Sequence, residues 1–495
     1  MAGRFGYSTA TRYSSGMSDF RYRGVIEGYY GPPWSHENRL FMVERMGAWG
    51  MNLYVYAPKS DPLHRERWRE PYPEAALRRF RELVERGTSA GVEVGFALSP
   101  GLSIQYSSSE DRATLAGKLA RFSDMGVRFL SLAVDDVPAR LVHEEDRRAF
   151  RSLAEAHVTL SHDLRERLPD DVTLWLVPTD YLGVEPTPYL EELGERLDPA
   201  VEVAWTGRTV VSPTIRADEA ARRSKTLRRP LLLWDNVPAS DGCMRPMLHL
   251  APYGGREPGL AEHASGVLLN PMEHTRASGV ALRTAARFLL DPKGYDPEQA
   301  WEEALAEIGE GAPEAFRNFA EAHRFHPSWP DDRDRELEAG LMSLRSQLER
   351  GGDVSDLLEE LRRQVAVRLE CAGELREGLR DEQLLKEIDP WIESHARETR
   401  QIQAALDGLD RVLSGPTSSD RCFGFMGFGF RVNLEPAPVA QSYGPRRVLY
   451  PQLTSMKDDE MALGPDPALF RDRCLADAFV ELVEDIALER LTRPC

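Results

Sequence analysis

Eight short apolar runs, each followed by a stretch of helical period, set the tightest limit on how this chain can fold. They begin at Gly24 (GVIEGYY), Asn52 (NLYVYAP), Val92 (VEVGFAL), Val127 (VRFLSLAV), Val172 (VTLWLVP), Val201 (VEVAWT), Leu231 (LLLWDN) and Gly266 (GVLLN). In the stretch after the second run, Leu77, Phe80, Leu83 and Val84 recur at helical spacing and Gly87 is the expected C-cap. Strands that alternate with helices build parallel sheets, because parallel neighbours need a crossover of a dozen or more residues. Eight such units match an α/β fold of the (β/α)8 barrel kind, which typically takes about 250 residues.

In such a barrel the residues just past each strand gather at one face, where active sites are built. Those positions hold Tyr29 and Tyr30, Lys59, Ser99, Asp135 and Asp136, Asp180 and Tyr181, Trp205 and Thr206, Asp235 and Asn236, and Asn270. Any one of them is an ordinary strand-end polar residue. Eight polar or aromatic ends together exceed what packing requires. Carboxylates, amides and tryptophans around one mouth suit a sugar, whose hydroxyls need donors and acceptors and whose ring stacks on indole.

The stretch SLAVDDVPAR places two acids side by side at a strand end, Asp135 and Asp136. Glycosidases with a protein nucleophile hold two carboxyls about 5–5.5 Å apart across the bond, and inverting ones about 6.5–9.5 Å. Neighbours on one strand point to opposite faces, which suits neither arrangement. Adjacency fits a third chemistry, in which the 2-acetamido oxygen of the sugar attacks the anomeric carbon. One carboxylate then accepts the acetamide N–H while its neighbour protonates the glycosidic oxygen and later activates water. Mutual repulsion is expected to keep one of the pair protonated near neutrality.

These runs resemble family 84 of the glycoside hydrolases, the O-GlcNAcase and bacterial β-N-acetylglucosaminidase group. The resemblance rests on GVIEGYYGPPW from Gly24, NLYVYAPKSDPLHRERWRE from Asn52, SPGL from Ser99, VDDV from Val134, PTDYLG from Pro178, WTG from Trp205, WDNVPASD from Trp234 and LLNP from Leu268. It implies that Asp135 orients the acetamide, that Asp136 is the general acid/base and that Tyr181 holds the acetamide oxygen. Lys59 and the backbone of Gly24 would meet sugar hydroxyls, and Asp241, joined by Asn270, would take the O4/O6 side. Asn236 would support the catalytic aspartates, and Trp234 would line the pocket for the N-acetyl methyl. The pair is followed by Val137 and Pro138 where a further polar residue is expected, so Pro138 should stiffen the loop after the acid.

A net charge of −18 disfavours nucleic acid and anionic membranes as partners. The eleven histidines form no HExxH and the five cysteines no CxxC, so neither a metal nor another cofactor is expected. Residues 1–21 lack an apolar signal core and read as a disordered polar leader on a cytoplasmic protein. The barrel is assigned to residues 22–295.

Helical sequence over 296–414 follows, with apolar faces at Leu337, Leu341, Leu344 and Leu348, at Leu358, Leu361, Val365 and Leu369, and at Ile402, Leu406 and Leu409. Pro313, Gly351–Gly352 and Pro390 punctuate this α-helical bundle. Its Glu and Arg content reads as a solvated face, with lining of a substrate groove or a homodimer contact as the alternatives. Residues 421–495 form a small C-terminal region containing a Phe/Gly run, Phe423 to Phe430, and one amphipathic helix or two short ones.

The function implied is a retaining exo-β-N-acetylglucosaminidase that removes GlcNAc from Ser/Thr of proteins through an oxazoline intermediate. The alternatives are an enzyme of the same kind acting on oligosaccharides and an inactive GlcNAc-binding module.

Overall fold

The computed structural model describes residues 20–245, 247–324, 334–414 and 475–492. Eight parallel strands close a barrel in sequence order: β1 (Tyr22–Glu27), β2 (Leu53–Tyr56), β3 (Glu93–Leu98), β4 (Phe129–Ala133), β5 (Thr173–Val177), β6 (Glu202–Trp205), β7 (Leu231–Asp235) and β8 (Ala264–Leu269). Each falls on one of the eight apolar runs. Ile26, Val55, Phe129, Trp175, Leu232 and Leu268 fill the barrel interior. The opposite faces of the strands pack on an outer ring: α1 (His36–Ala48), α2 (Glu74–Ala90), α3 (Ser109–Ser123), α4 (Glu144–Ala149), α5 (Leu153–Arg167), α6 (Pro188–Arg196), α7 (Ala217–Leu227) and α8 (Thr275–Leu290). Ser35, Ser108, Ser152 and Thr187 start α1, α3, α5 and α6 by accepting a first-turn N–H on their hydroxyls.

Details of the barrel differ from expectation. Between β7 and β8 the described chain carries no α-helix, only 3-10 turns at Gly242–Met244 and Pro258–Glu262. Helix α2 runs past Gly87 and ends at Gly91, which takes the left-handed conformation at φ 76°. Gly87 instead lets the helix approach the chain entering β3, since a Cβ there would lie 2.7 Å from the Val92 carbonyl oxygen. The barrel unit also reaches further back than position 22: Phe20 is fully buried, and its ring lies 6.2 Å from that of Phe288.

Beyond the barrel lie α9 (Pro297–Ile308), α10 (Pro313–Ala322), α11 (Arg335–Glu349), α12 (Ser355–Gly378), α13 (Glu382–Ser414) and α14 (Leu475–Thr492). Pro390 does not interrupt the chain as expected but sits inside α13. The missing N–H bond is tolerated there because Ile388, Trp391 and Ile392 anchor the helix on both sides of it in an apolar cluster. That cluster joins Leu250, Met272, Ala277 and Val280 of the barrel to Trp301, Phe316 and Leu375 of the helices. A second cluster unites the predicted leucine faces of α11–α13 with Phe479, Leu482 and Val483 of the single helix α14. Glu387 of α13 also accepts the Arg276 and Ala277 N–H groups at 2.7 and 3.2 Å, capping the barrel helix α8. The Phe/Gly run lies outside the described residues. No helix among the described residues is long and apolar enough to cross a membrane.

Candidate active site

Strand β4 ends at Ala133, so Asp135 and Asp136 stand in the loop above it. Lys59, from the loop after β2, donates from Nζ to Asp135 Oδ2 at 2.5 Å, and both side chains are buried. The same ammonium lies 5.6 Å from the ring centre of Trp234 on β7. Asp135 Oδ1 is buried and accepts no hydrogen bond from the described residues. Asp136 takes a left-handed conformation at φ 47°, which turns its carboxylate out of line with its neighbour. Its Oδ2 accepts from the Tyr30 hydroxyl at 2.8 Å and its Oδ1 from the Tyr181 hydroxyl at 2.9 Å. Neighbours on a continuing strand would face opposite sides; a left-handed turn past its end lets two adjacent acids serve one mouth.

Burial pushes the Asp136 carboxyl up, but the Lys59 charge, the two phenolic hydrogen bonds and Arg65 together hold it below the usual carboxylate range. Asp136 is therefore not the member of the pair that repulsion keeps protonated near neutrality, because the nearby Lys59 cation favours its ionised form. A donor lost from an ionised carboxylate raises its pKa. With Asp136 as the acid, the role expected from the sequence, Tyr30→Phe should move the alkaline limb of the kcat/KM profile to higher pH. A limb that stays put or moves down would contradict this account.

Across the mouth, Asp241 Oδ2 accepts the Tyr30 backbone N–H at 2.7 Å. Burial raises the pKa of Asp241 against the pull of that N–H. Asn236 Oδ1 accepts from Trp234 Nε1 and from Asn270 Nδ2, both at 2.9 Å, and its Nδ2 donates to the Val210 carbonyl at 2.6 Å. Asn270 Oδ1 accepts the Gly28 N–H at 3.1 Å. Asn236 therefore fixes the indole and the neighbouring amide, and through Trp234 it reaches Lys59 and the aspartates indirectly.

Seven residues singled out in the sequence thus stand in one hydrogen-bonded or packed assembly with Asp135 and Asp136: Lys59, Tyr181, Trp234, Asn236, Asp241, Asn270 and Tyr30. Gly24 does not join them. It pairs level with Leu53 and Leu268 inside the barrel wall, where a Cβ would lie 2.1 Å from the Leu53 carbonyl oxygen. The glycine at the mouth is Gly28, four residues further on. A Cβ at Gly28 would lie 2.3 Å from Trp234 Cζ2. Gly28→Ala is expected to displace the indole and lower kcat/KM by about 10²-fold, as misplacement by an ångström typically does. Unchanged kinetics would show that the indole position does not matter.

Asp235 lies apart from the site, in a buried ion pair with Arg256 at 2.5 Å and a hydrogen bond from Tyr253 at 2.7 Å. Tyr181 donates to Asp136 here, so its hydroxyl is not waiting free for an acetamide. Arg65, which contacts the backbone of Asp136 at 2.8 Å, carried no sequence signal beyond its place in a long matching stretch. Among the described residues no cluster of His, Cys, Asp and Glu could hold a metal ion.

The profile of the β-N-acetylglucosaminidase family matches residues 23–321, well over half the chain. The chain belongs to that family. As a β-N-acetylglucosaminidase-family glycoside hydrolase, it is 36% identical over 269 residues to the protein O-GlcNAcases of Rattus norvegicus and Mus musculus. That match takes in 53% of this chain and 29% of theirs, so the chain spans less than a third of the length of these relatives. Over nearly its whole length it is similar to an aspartate-to-asparagine mutant of the Thermobaculum terrenum O-GlcNAc hydrolase, at 32% identity and a TM-score of 0.79, covering 95% of this chain and 94% of that one.

Proposed function

We propose that this family member is a retaining exo-β-N-acetylglucosaminidase that removes terminal GlcNAc from Ser/Thr of proteins by substrate-assisted catalysis. The observation that carries the reading is the asymmetric bonding of Asp135. Lys59 clamps one oxygen and leaves the other buried without a donor, a state that costs free energy until a ligand N–H fills it. The N–H of a 2-acetamido group is such a donor.

With that group held, the acetamido oxygen attacks C1 and the bond from C1 to the leaving oxygen breaks. Asp136, protonated in the complex, gives its proton to that oxygen. Asp135 stabilises the positive charge that develops on the cyclised acetamide, as fixed charges do in sites that exclude water. Water then attacks C1, Asp136 takes its proton, and the ring reopens with net retention. Tyr181 exchanges Asp136 for the acetamide oxygen as its acceptor, which frees the acid to bind its proton. Asp241 and Asn270 meet the far hydroxyls of the sugar.

The reading extends to a cytoplasmic location and to a homodimer formed through the helical region, where Met342 and Val367 expose apolar side chains on α11 and α12. Sedimentation of the full chain tests the dimer. Hydrolysis of an O-GlcNAc peptide and of chitobiose under identical conditions tests the substrate, with faster peptide turnover and a β-configured first product expected. Turnover of chitobiose alone would place the enzyme among oligosaccharide hydrolases, an α-configured first product would overturn the mechanism, and no turnover of either would leave a GlcNAc-binding module.

A further inference from the structure

Arg65 is buried in the loop after β2 and ties together three of the loops that form the mouth. Its Nη1 donates to Ser99 Oγ at 3.0 Å and its Nη2 to the backbone carbonyl of Asp136 at 2.8 Å. Ser99 begins the loop after β3, and its N–H returns a bond to the His64 carbonyl at 2.9 Å, so the two loops are laced on both sides of Arg65. The loops after β3 and β4 also touch where Gly101 faces Val137, since a Cβ on Gly101 would lie 2.7 Å from Val137 Cγ1. Asp136, the residue whose carbonyl is held, is one of three non-glycine residues with positive φ among those described. Such a conformation persists only where the surroundings impose it.

The geometry points to Arg65 as a positioning residue for the general acid/base. Its planar fork, one arm anchored on Ser99, fixes the Asp136 carbonyl, and so holds the left-handed turn that aims the carboxylate at Tyr30, Tyr181 and the leaving group rather than at Lys59. A lysine in its place would keep the charge but could not span both acceptors with fixed geometry. This inference rests on Asp136 being the acid.

The test compares the wild-type full chain with Arg65→Met, Arg65→Lys and Ser99→Ala on two β-N-acetylglucosaminides, one with a nitrophenol leaving group and one with an alkyl alcohol. For both Arg65 variants kcat/KM on the alkyl glycoside is expected to fall about 10²-fold, while the nitrophenyl substrate, which needs little protonation, loses less than about threefold. Ser99→Ala should show the same selectivity in weaker form, and it keeps the inference exposed if the arginine variants do not fold. In an Asp136→Asn background, Arg65→Met should add almost nothing, because a residue acting only through the acid has no second route to the rate. Equal losses on both substrates, full additivity with Asp136→Asn, or no selectivity in Ser99→Ala would overturn the role. If Asp136→Asn itself lacked leaving-group dependence, the fault would lie with the acid assignment instead.

Discussion

Asp136→Asn is expected to lower kcat/KM for an O-alkyl N-acetylglucosaminide by about 10²–10⁴, the usual worth of general acid help. The substitution is nearly isosteric, and the Tyr30 and Tyr181 hydroxyls that meet the carboxylate at 2.8 and 2.9 Å can each turn to accept or donate. The shape of the site is therefore largely kept, and what is lost is a transferable proton. An aryl leaving group of low pKa departs without that proton, so its kcat/KM should hardly change. Its kcat should still fall, because the second half of the reaction loses the base that activates water. KM should fall with it as the intermediate accumulates. Steady-state kinetics over a series of leaving groups checks this, and a uniform loss across the series would remove Asp136 from the acid role.

Asp135→Asn is expected to behave differently in two respects. Loss of the fixed negative charge beside the cyclised acetamide should slow every substrate by about 10²–10³, whatever its leaving group, in the range seen when a preorganised electrostatic partner is removed. It should also destabilise the fold. Lys59 and Asp135 have side chains only 2% and 8% exposed, so removing the acid leaves a buried ammonium without its partner. Breaking such a pair costs about 3–5 kcal/mol. Asp136→Asn removes a charge that its surroundings stabilise on balance, as its lowered pKa records, so its midpoint should also fall, but by less than that of Asp135→Asn, because the Tyr30 and Tyr181 hydroxyls can turn to meet the amide and no buried cation loses its direct partner. The pair of variants is thus separated by a melt as well as by an assay. A leaving-group-dependent Asp135→Asn with an unchanged midpoint would reverse the assignment.

The barrel was legible because its signal is local: each strand is an apolar run and nearly every crossover has helical period, the one from β7 to β8 being the exception with only two short 3-10 turns, so eight strands could be located before any contact was known. The aspartate pair was singled out because the neighbouring motifs stand in order along the chain, whereas two adjacent acids alone carry little. Gly24 and Gly28 show where that kind of reading stops. Both lie in GVIEGYY, and only the register of β1 against β2 and β8 decides which is locked in the wall and which borders the pocket. Tyr30 was placed at the mouth without a role, because nothing local says that its hydroxyl reaches Asp136 while its backbone N–H reaches Asp241. Arg65 was invisible for the same reason, since its partners lie 34 and 71 positions away. That the carboxyl of Asp136 is held below its usual range was not legible, because the decisive charge, Lys59, comes from a different loop. Pro390 was read as a helix end, but tertiary packing on both sides outweighed one lost hydrogen bond.

The apolar cluster that runs from Met272 and Val280 of the barrel to Trp301, Phe316 and Trp391 of the helices has a consequence for how the protein comes apart. A cut at position 296 would strip the shared cluster from α8 and leave its first turn without the Glu387 carboxylate that caps it. Barrel and proximal helices should therefore melt as one cooperative unit, and calorimetry of the intact chain should record a single transition spanning both. The smallest excisable version of this hydrolase is then longer than its catalytic face alone would suggest.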